Sequence, residues 1–365
     1  MKINPRVIQF LTLTLLAHMP AIAYADTLQD QRLYRSAYYL GRGDAGIALS
    51  DDYEAIFYNP AGLAEGTGLY KQTVFLSPQV DLSIDTRNLV QKIALQKKND
   101  PSTFRQHVGK NQHLGLSNFT GIVFRRAALG VIANTNNDFL LRKSEDEHGA
   151  EVLSAKSVTN AGITFSFAEK FFDDRLLVGL TAKYLNQIYG ALDINVLDSQ
   201  NIAAKLEGDE VQQQTTGLGA DLGILLKFHG RHPFHVAATI ENLGETRLKP
   251  AKAGGAGRYL KQVYNLGFAY TVNSHLSHMK LALDFRDVGG RLETNPYKRL
   301  HIGAELALGS AFGLTGGWNQ GYPGGGLYLN LYLMRFDFGA YTQEMGTTAG
   351  ARPDSRFFLR MMVKI

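Results

Sequence analysis

Three acidic residues, Asp51, Asp52 and Glu54, stand within four positions of each other, just before Phe57-Tyr58-Asn59-Pro60-Ala61-Gly62-Leu63. A glycine-rich run, Gly41-Arg42-Gly43-Asp44-Ala45-Gly46-Ile47-Ala48, precedes them. Such a run can cradle a phosphate with its backbone N–H groups. This one lacks the Gly-Lys-Ser/Thr ending and a preceding strand, which excludes a nucleotide loop. Clustered carboxylates can also hold a metal or move protons. The 10 histidines are scattered, without an H-E-x-x-H pair or a G-x-S-x-G elbow, and cysteine is absent. No metal site, cofactor or enzymatic activity is therefore expected. His235 and His301 fall on predicted inward faces, where a Ser–His pair could assemble, but no sequence feature promotes one. The remaining roles are conformational: Asn59 caps a turn and Pro60 fixes it, or that turn holds a segment that shifts when a ligand binds.

A second set of charges sits on strands. Lys183, Lys227, Lys280, Arg286, Arg335, Arg356, Arg360 and Lys364 share predicted inward faces with Asp221, Glu241, Asp284, Glu305 and Asp337. Unpaired charge in a confined space is costly, so these groups are expected to pair with each other and with the Asp51–Glu54 cluster. The alternative is that the basic surplus receives the carboxylate of an amphipathic ligand, which an arginine fork binds bidentately.

The elements that position these residues are strands. The chain has 365 residues, 38 of them Gly, with 45% hydrophobic and only 19% charged residues. It is thus glycine-rich and charge-poor for a globular domain. Residues 1–25 read as an export signal: Lys2 and Arg6, the apolar Val7–Leu16, then Ala23-Tyr24-Ala25. Beyond them no apolar run approaches a membrane helix. The remainder carries a net charge of +3, too weak for nucleic-acid binding. From Leu69 onward apolar residues alternate with charged or small ones, as in Leu327-Tyr328-Leu329-Asn330-Leu331-Tyr332-Leu333 and in Phe357, Leu359, Met361, Val363 and Ile365 against Arg356, Arg360 and Lys364.

Alternation alone does not separate a soluble sandwich from a membrane barrel. The connections do. Fourteen strands are predicted at 68–82, 112–125, 127–136, 158–169, 174–188, 214–228, 233–243, 260–273, 277–287, 298–309, 311–319, 323–333, 334–345 and 356–365. Long connections (83–111, 137–157, 189–213, 244–259, 288–297, 346–355) interleave with tight ones near Arg126, Phe171–Asp173, Gly230–His232, Ser274–Leu276, Ser310 and Met334. Gly321–Tyr322 breaks the rhythm. Short turns at one end and long loops at the other are the build of an outer-membrane barrel, in which closure pairs every backbone group.

Residues 26–67 do not read as strand; small residues, caps at Ser50 and Asp51 and the Asn59-Pro60 break predict short helices. The pattern at Gly43, Ala45, Gly46, Ala48, Asp51, Asp52, Phe57, Asn59, Pro60, Ala61, Gly62 and Leu63 resembles the N-terminal signature of the FadL-type long-chain fatty-acid transporter family. That resemblance implies a hatch at 26–67 plugging a 14-strand barrel at 68–365. It also implies passive uptake of hydrophobic molecules, which land among extracellular loops and leave sideways beside the hatch. Some relatives act instead as barrel partners in secretion machinery.

The expectation is an all-β, transmembrane, antiparallel up-and-down barrel of about 14 strands in a bacterial outer membrane. Its contacts are outer-membrane lipid, a hydrophobic small molecule and, on the scaffold reading, an envelope protein partner. The expected site comprises Phe57, Asn59, Pro60, Gly62, Asp51 and Asp52, with lumen charges Arg286, Arg335, Arg356, Arg360, Glu305 and Asp337. A Phe at Gly62 is expected to block the path without unfolding the barrel. Loop 83–111 carries an amphipathic stretch (Leu89, Val90, Ile93, Ala94, Leu95). Loop 189–213 mixes apolar with acidic residues, and loop 244–259 is basic, unlike a greasy capture groove.

Overall fold

A computed structural model describes residues 28–65, 70–88, 108–143, 151–195, 212–252, 255–274 and 277–365. The export signal, the apolar residues of loop 83–111, and Val196, Leu197, Ile202 and Leu206 of loop 189–213 lie outside the described residues.

Seventeen strand segments form one antiparallel ring: β1 Tyr70–Leu76, β2 Gln79–Ser83, β3 Asn111–Phe124, β4 Ala127–Lys143, β5 Glu151–Phe171, β6 Leu176–Asn195, β7 Gln212–Phe228, β8 Phe234–Glu241, β9 Thr246–Pro250, β10 Arg258–Leu260, β11 Val263–Asn273, β12 Ser277–Phe285, β13 Leu300–Leu308, β14 Phe312–Asn319, β15 Tyr322–Asn330, β16 Met334–Glu344 and β17 Pro353–Lys364. They make fourteen staves. β1 and β2 are one stave broken at Ser77-Pro78, since both pair with β3 and β17. β8 and β9 likewise face β7 together, and β10 and β11 face β9 and β8. Register Leu359↔Val80 and Val74↔Lys364 closes last stave on first.

Apolar side chains point outward along the staves, as at Leu129 and Val131, Ile163, Phe165 and Phe167, Leu281 and Leu283, Phe338 and Leu359. A nine- to eleven-residue stave such as β12 or β16, at roughly 3.3 Å per residue and a tilt of about 40°, crosses roughly 25 Å. That matches the apolar thickness, so the ring is a transmembrane barrel. Tight turns at 125–126, 172–175, 229–233, 309–311 and 331–333 occupy one end. At the other, Gln320-Gly321 turns sharply with both residues at positive φ, 53° and 97°.

The structure redraws several boundaries. β4, β5, β6 and β7 run for 17, 21, 20 and 17 residues. They therefore absorb most of the predicted loop 137–157 and both ends of 189–213. Beyond the lipid no apolar outer face is required, so the period-2 signal fades at Asn134–Asp138 although the ladder continues. Segment 244–259 is a hairpin extension, Leu248 opposite Arg258, rather than a loop. Leu331–Leu333 form a turn, not the end of a strand. Their apolar character suits a membrane–water boundary, where interfacial residues belong.

Residues 28–65 lie against the inner face of the ring. α1 (Leu28–Gln31), α2 (Ala37–Gly41), α3 (Ala55–Tyr58) and a 3-10 turn (Pro60–Ala64) follow one another in the chain. The 3-10 turn packs on β5–β7, and α2 packs across the lumen on β14–β17. Ser36 caps α2. Asp52, not Ser50 or Asp51, prepares α3 by accepting from Glu54 N at 2.8 Å. Short α4 (Pro296–Arg299) sits in a connection at the long-loop end.

Close approach requires glycine where the segment meets the wall. A Cβ at Gly179 would strike the Pro60 carbonyl and Ala61 N. Replacing Gly179 by Val is expected to leave a folded, heat-modifiable barrel whose residues 28–65 become trypsin-sensitive at Arg32, Arg35 or Arg42. Unchanged protease protection would show that this contact does not seat the segment.

Candidate functional site

Each functional side chain inside the barrel is held at a strand position whose neighbours in sequence point to lipid. On one side, β12–β17, the wall supplies charge. Glu305 on β13 receives Arg42 Nη1 at 2.9 Å and the hydroxyls of Tyr328 (3.0 Å) and Tyr38. Asp284 on β12 accepts from Gly46 N and Ile47 N at 2.8 and 3.1 Å, so two backbone donors of the N-terminal segment end on a wall carboxylate. Arg286 gives Nη2 to Asp44 O at 2.9 Å. His301 Nδ1 donates to Gly43 O at 3.0 Å, and His235 Nδ1 to Ala48 O at 3.2 Å.

Arg360 is the most heavily engaged of the predicted lumen charges. Its Nε and Nη2 reach Asp337 Oδ2 at 2.9 and 2.7 Å, and its Nη1 faces Ser36, Tyr53 and Glu54. Arg335 pairs with Asp337 at 2.9 Å, and its guanidinium lies over the rings of Tyr38 and Tyr328. Arg356 stays near the long-loop end, with Asp354 at 2.7 Å and Asp138 at 3.2 Å. The structure thus brings Arg286, Arg335, Arg360, Glu305 and Asp337 onto one flank and sets Arg356 apart. Lys183 meets Asp221 at 2.7 Å, and Lys227 meets Glu65 at 2.6 Å, on the opposite flank.

The other side of the segment, towards β1 and β3–β6, is chiefly apolar. Tyr34, Tyr53, Ile56 and Leu63 form one buried cluster with Val74, Phe119, Val123, Ala128, Ile132, Ala168 and Leu177. Tyr53 stacks on Phe119 with ring centres 4.8 Å apart, and Phe57 meets Phe119 edge-on at 5.6 Å.

Asn59 is fully buried between the two flanks. Its Oδ1 accepts from Ala61 N at 3.1 Å, and its Nδ2 donates to Ile47 O (2.9 Å) and to Ile224 O of β7 (3.2 Å). Pro60 opens the 3-10 turn that Asn59 caps. Gly62 lies against the Ser50 carbonyl, which a Cβ there would overlap. A Phe at Gly62 would therefore displace the segment rather than block a path, contrary to the sequence-based expectation. Asp51 is exposed and Asp52 half-buried.

The sequence reading missed Asp44 and its ring of cations. Asp44 has a positive φ of 62°, is wholly buried, pairs with Arg32, and accepts from Tyr58 OH at 2.6 Å. Burial opposes its charge, but Arg32, Arg286 and Arg35 override burial and hold the carboxyl well below the usual carboxylate range. Four charged residues across this stretch, Arg32, Arg35, Arg42 and Asp44, were the available signal, but their convergence depends on a turn at Gly43-Asp44.

Removing Arg360 leaves Glu54 buried without its cation and Asp337 with Arg335 alone, a loss of about 3–5 kcal/mol. Arg360→Ala is expected to lower the thermal midpoint and expose residues 28–65 to protease, and Arg360→Lys to restore part of the protection; equal protection in all three proteins would contradict this. A pH effect follows from Asp52, which burial, then Glu54 and Asp51, push up to about 7. Its folded value exceeds its unfolded one, so its stabilising contribution is complete below about pH 4 and fades as pH rises through 7. Proteolysis near residues 50–58 should speed up from pH 5 to pH 8, and Asp52→Asn should flatten that dependence.

The sequence model of the family described as F plasmid transfer operon, TraF, protein matches residues 111–284, somewhat less than half of the chain. No curated protein matches the chain in sequence. Among solved structures, a deltaS2 mutant of the TodX monoaromatic hydrocarbon channel is similar at a TM-score of 0.51 and 11% identity, covering 92% of this chain and 98% of that one. The Pseudomonas putida toluene transporter TodX follows with a TM-score of 0.47 and 10% identity over 95% of this chain and 98% of that one. A Pseudomonas aeruginosa FadL homologue gives 0.35 and 13% over 95% and 99%. The likeness to the TodX mutant is one of fold: a closed antiparallel barrel of the outer-membrane type.

Proposed function

We propose that the protein is an outer-membrane barrel that admits hydrophobic or amphipathic small molecules past a hatch formed by its N-terminal segment. One observation carries this reading: the segment is fastened unevenly. Buried ion pairs and charged hydrogen bonds hold it to β12–β17, whereas its contacts with β1 and β3–β6, apart from the Lys156–Asp30 pair and the hydrogen bonds of Lys71 and Asn134, are largely aromatic and aliphatic. An apolar seam yields to an apolar solute with little change in hydration, because one apolar surface replaces another. Breaking a buried ion pair strands a charge. The hatch would therefore part from the wall along Phe57, Phe119 and Ile56 while the clamp holds its far side. Gating at the Asn59-Pro60 turn, which touches β7, belongs to the same reading. It requires no cofactor and assigns no catalytic role to His235 or His301.

A fatty-acid-like ligand is the finer form of this proposal, and toluene and oleate probe its two size limits. Expressed in a strain without its own long-chain fatty-acid channel, the protein is expected to raise uptake of radiolabelled toluene or oleate above the empty-vector level. Phe57→Ala, which widens the seam, should raise the rate severalfold further. Uptake equal to the vector control from a folded barrel would overturn the proposal.

A second reading is a non-transporting scaffold that binds an envelope partner. Two observations favour it: the match of residues 111–284 to the plasmid-transfer family, and the projection of β4–β7 beyond the lipid band. Failure of uptake together with an envelope protein co-purifying in mild detergent would select it.

A further inference from the structure

Between the N-terminal segment and the long-loop end of β2–β5 and β16–β17 lies a cavity of about 160 Å³. Its walls are polar, unlike the apolar seam. Five cations (Arg32, Arg35, Lys156, Lys298, Arg356) face five anions (Asp30, Asp81, Asp138, Glu293, Glu344), a balance of charge rather than a surplus of either sign.

Several of these groups are buried with hydrogen-bonding capacity left over. Asp81 is 8% exposed; its Oδ2 accepts from Tyr341 OH at 2.6 Å, while its Oδ1 has no protein partner. His113 is 2% exposed; its Nδ1 meets Asp138 at 2.7 Å, which leaves Nε2 unpartnered and, with the proton on Nδ1, an acceptor. Gly115 lies close against both. A Cβ there would lie 3.0 Å from His113 Nε2, 3.1 Å from Asn136 Oδ1 and 3.1 Å from Asp81 Cβ. His113 Nε2, Asn136 Oδ1 and the Asp81 side chain thus gather at the Gly115 edge of the cavity, where a methyl group would press on all three. An ammonium group, with three N–H donors, has the complementary valence.

The opposite pole comes from the N-terminal segment. Arg32 and Arg35 each retain an unpartnered Nη2, although Arg32 is only 6% exposed. Arg35 is held by Gln343 at 3.0 Å and lies over the Tyr341 ring, 5.2 Å from its centre. Tyr341 therefore spaces the two poles, with Arg35 above its ring and Asp81 on its hydroxyl. Free guanidinium N–H groups are carboxylate receptors.

We propose that this cavity is a binding site for a small zwitterion carrying a primary ammonium and a carboxylate, an amino-acid-sized solute. The ammonium sits at Asp81, His113 and Asn136 around Gly115, and the carboxylate faces Arg35 and Arg32. An apolar cavity of about 150 Å³ holds a benzene molecule, so the volume suits roughly six to ten non-hydrogen atoms. The site is independent of the hydrophobic seam, so the solute binds whether or not the barrel transports apolar molecules.

The test is calorimetric titration of the full chain in detergent micelles with glycine, 4-aminobutyrate, acetate and methylammonium; the two amino acids bracket the distance between poles. At least one amino acid is expected to bind saturably, tenfold or more tighter than acetate or methylammonium. Asp81→Asn and Arg35→Gln should each weaken it at least tenfold. Gly115→Ala should weaken it as much, and a heat-modifiable, protease-resistant barrel in each variant separates loss of the site from loss of the fold. Acetate binding as tightly as both amino acids would overturn the proposal in favour of an anion site. No saturable binding of any probe would overturn it outright.

Discussion

Inside a bilayer no water is available to pair with backbone N–H and C=O groups, and the architecture follows from that shortage. A sheet in lipid must close, and β17 does so by pairing with β1 and β2. Closure of fourteen staves leaves an enclosed space whose lining is the other half of every alternating strand. Because the lipid side claims the apolar residues, the lining inherits Asp284, Glu305, Asp337 and Arg360, and these need partners of their own. The N-terminal segment provides them: Arg42 for Glu305, Glu54 for Arg360, and the N–H groups of Gly46 and Ile47 for Asp284. The constraint that closes the wall thus also dictates what fills it.

The filling is asymmetric, and the asymmetry bears on motion. Charge-assisted contacts are directional and costly to leave unmade once buried, so they act as fixed points. Aromatic packing such as Tyr53 on Phe119 has a shallower dependence on position. A segment tethered by the first kind on β12–β17 and the second on β3–β6 has a preferred side on which to separate. The polar cavity is a third environment, set where the barrel rises past the lipid and the lining no longer touches the 3-10 turn.

Glycine links sequence to packing at particular points. Gly179 and Gly223 let the Asn59-Pro60 turn approach the wall, where a Cβ would meet Pro60 or the Asn59 side chain. Gly115 serves the same end at the polar cavity, where a Cβ would press on His113, Asn136 and Asp81 instead of on the N-terminal segment.

The sequence by itself determined the strand count, the closed antiparallel class, the segregation of short turns from long connections, and which charges face inward. All of these follow from a period-2 pattern imposed by lipid on one face, a local property that a single chain displays. Where lipid ends, as in the upper parts of β4, β5 and β6, the pattern lost its physical cause, and those stretches read as loops. Tertiary structure alone decided the pairings. Arg360 with Glu54, Arg42 with Glu305 and Asp81 with Tyr341 join residues more than two hundred positions apart. Their meeting depends on how the N-terminal segment turns at Gly43-Asp44 and on the register at which the ring closes. The cavity with its two poles belongs to the same category, since it arises from the space left between surfaces that are distant in sequence.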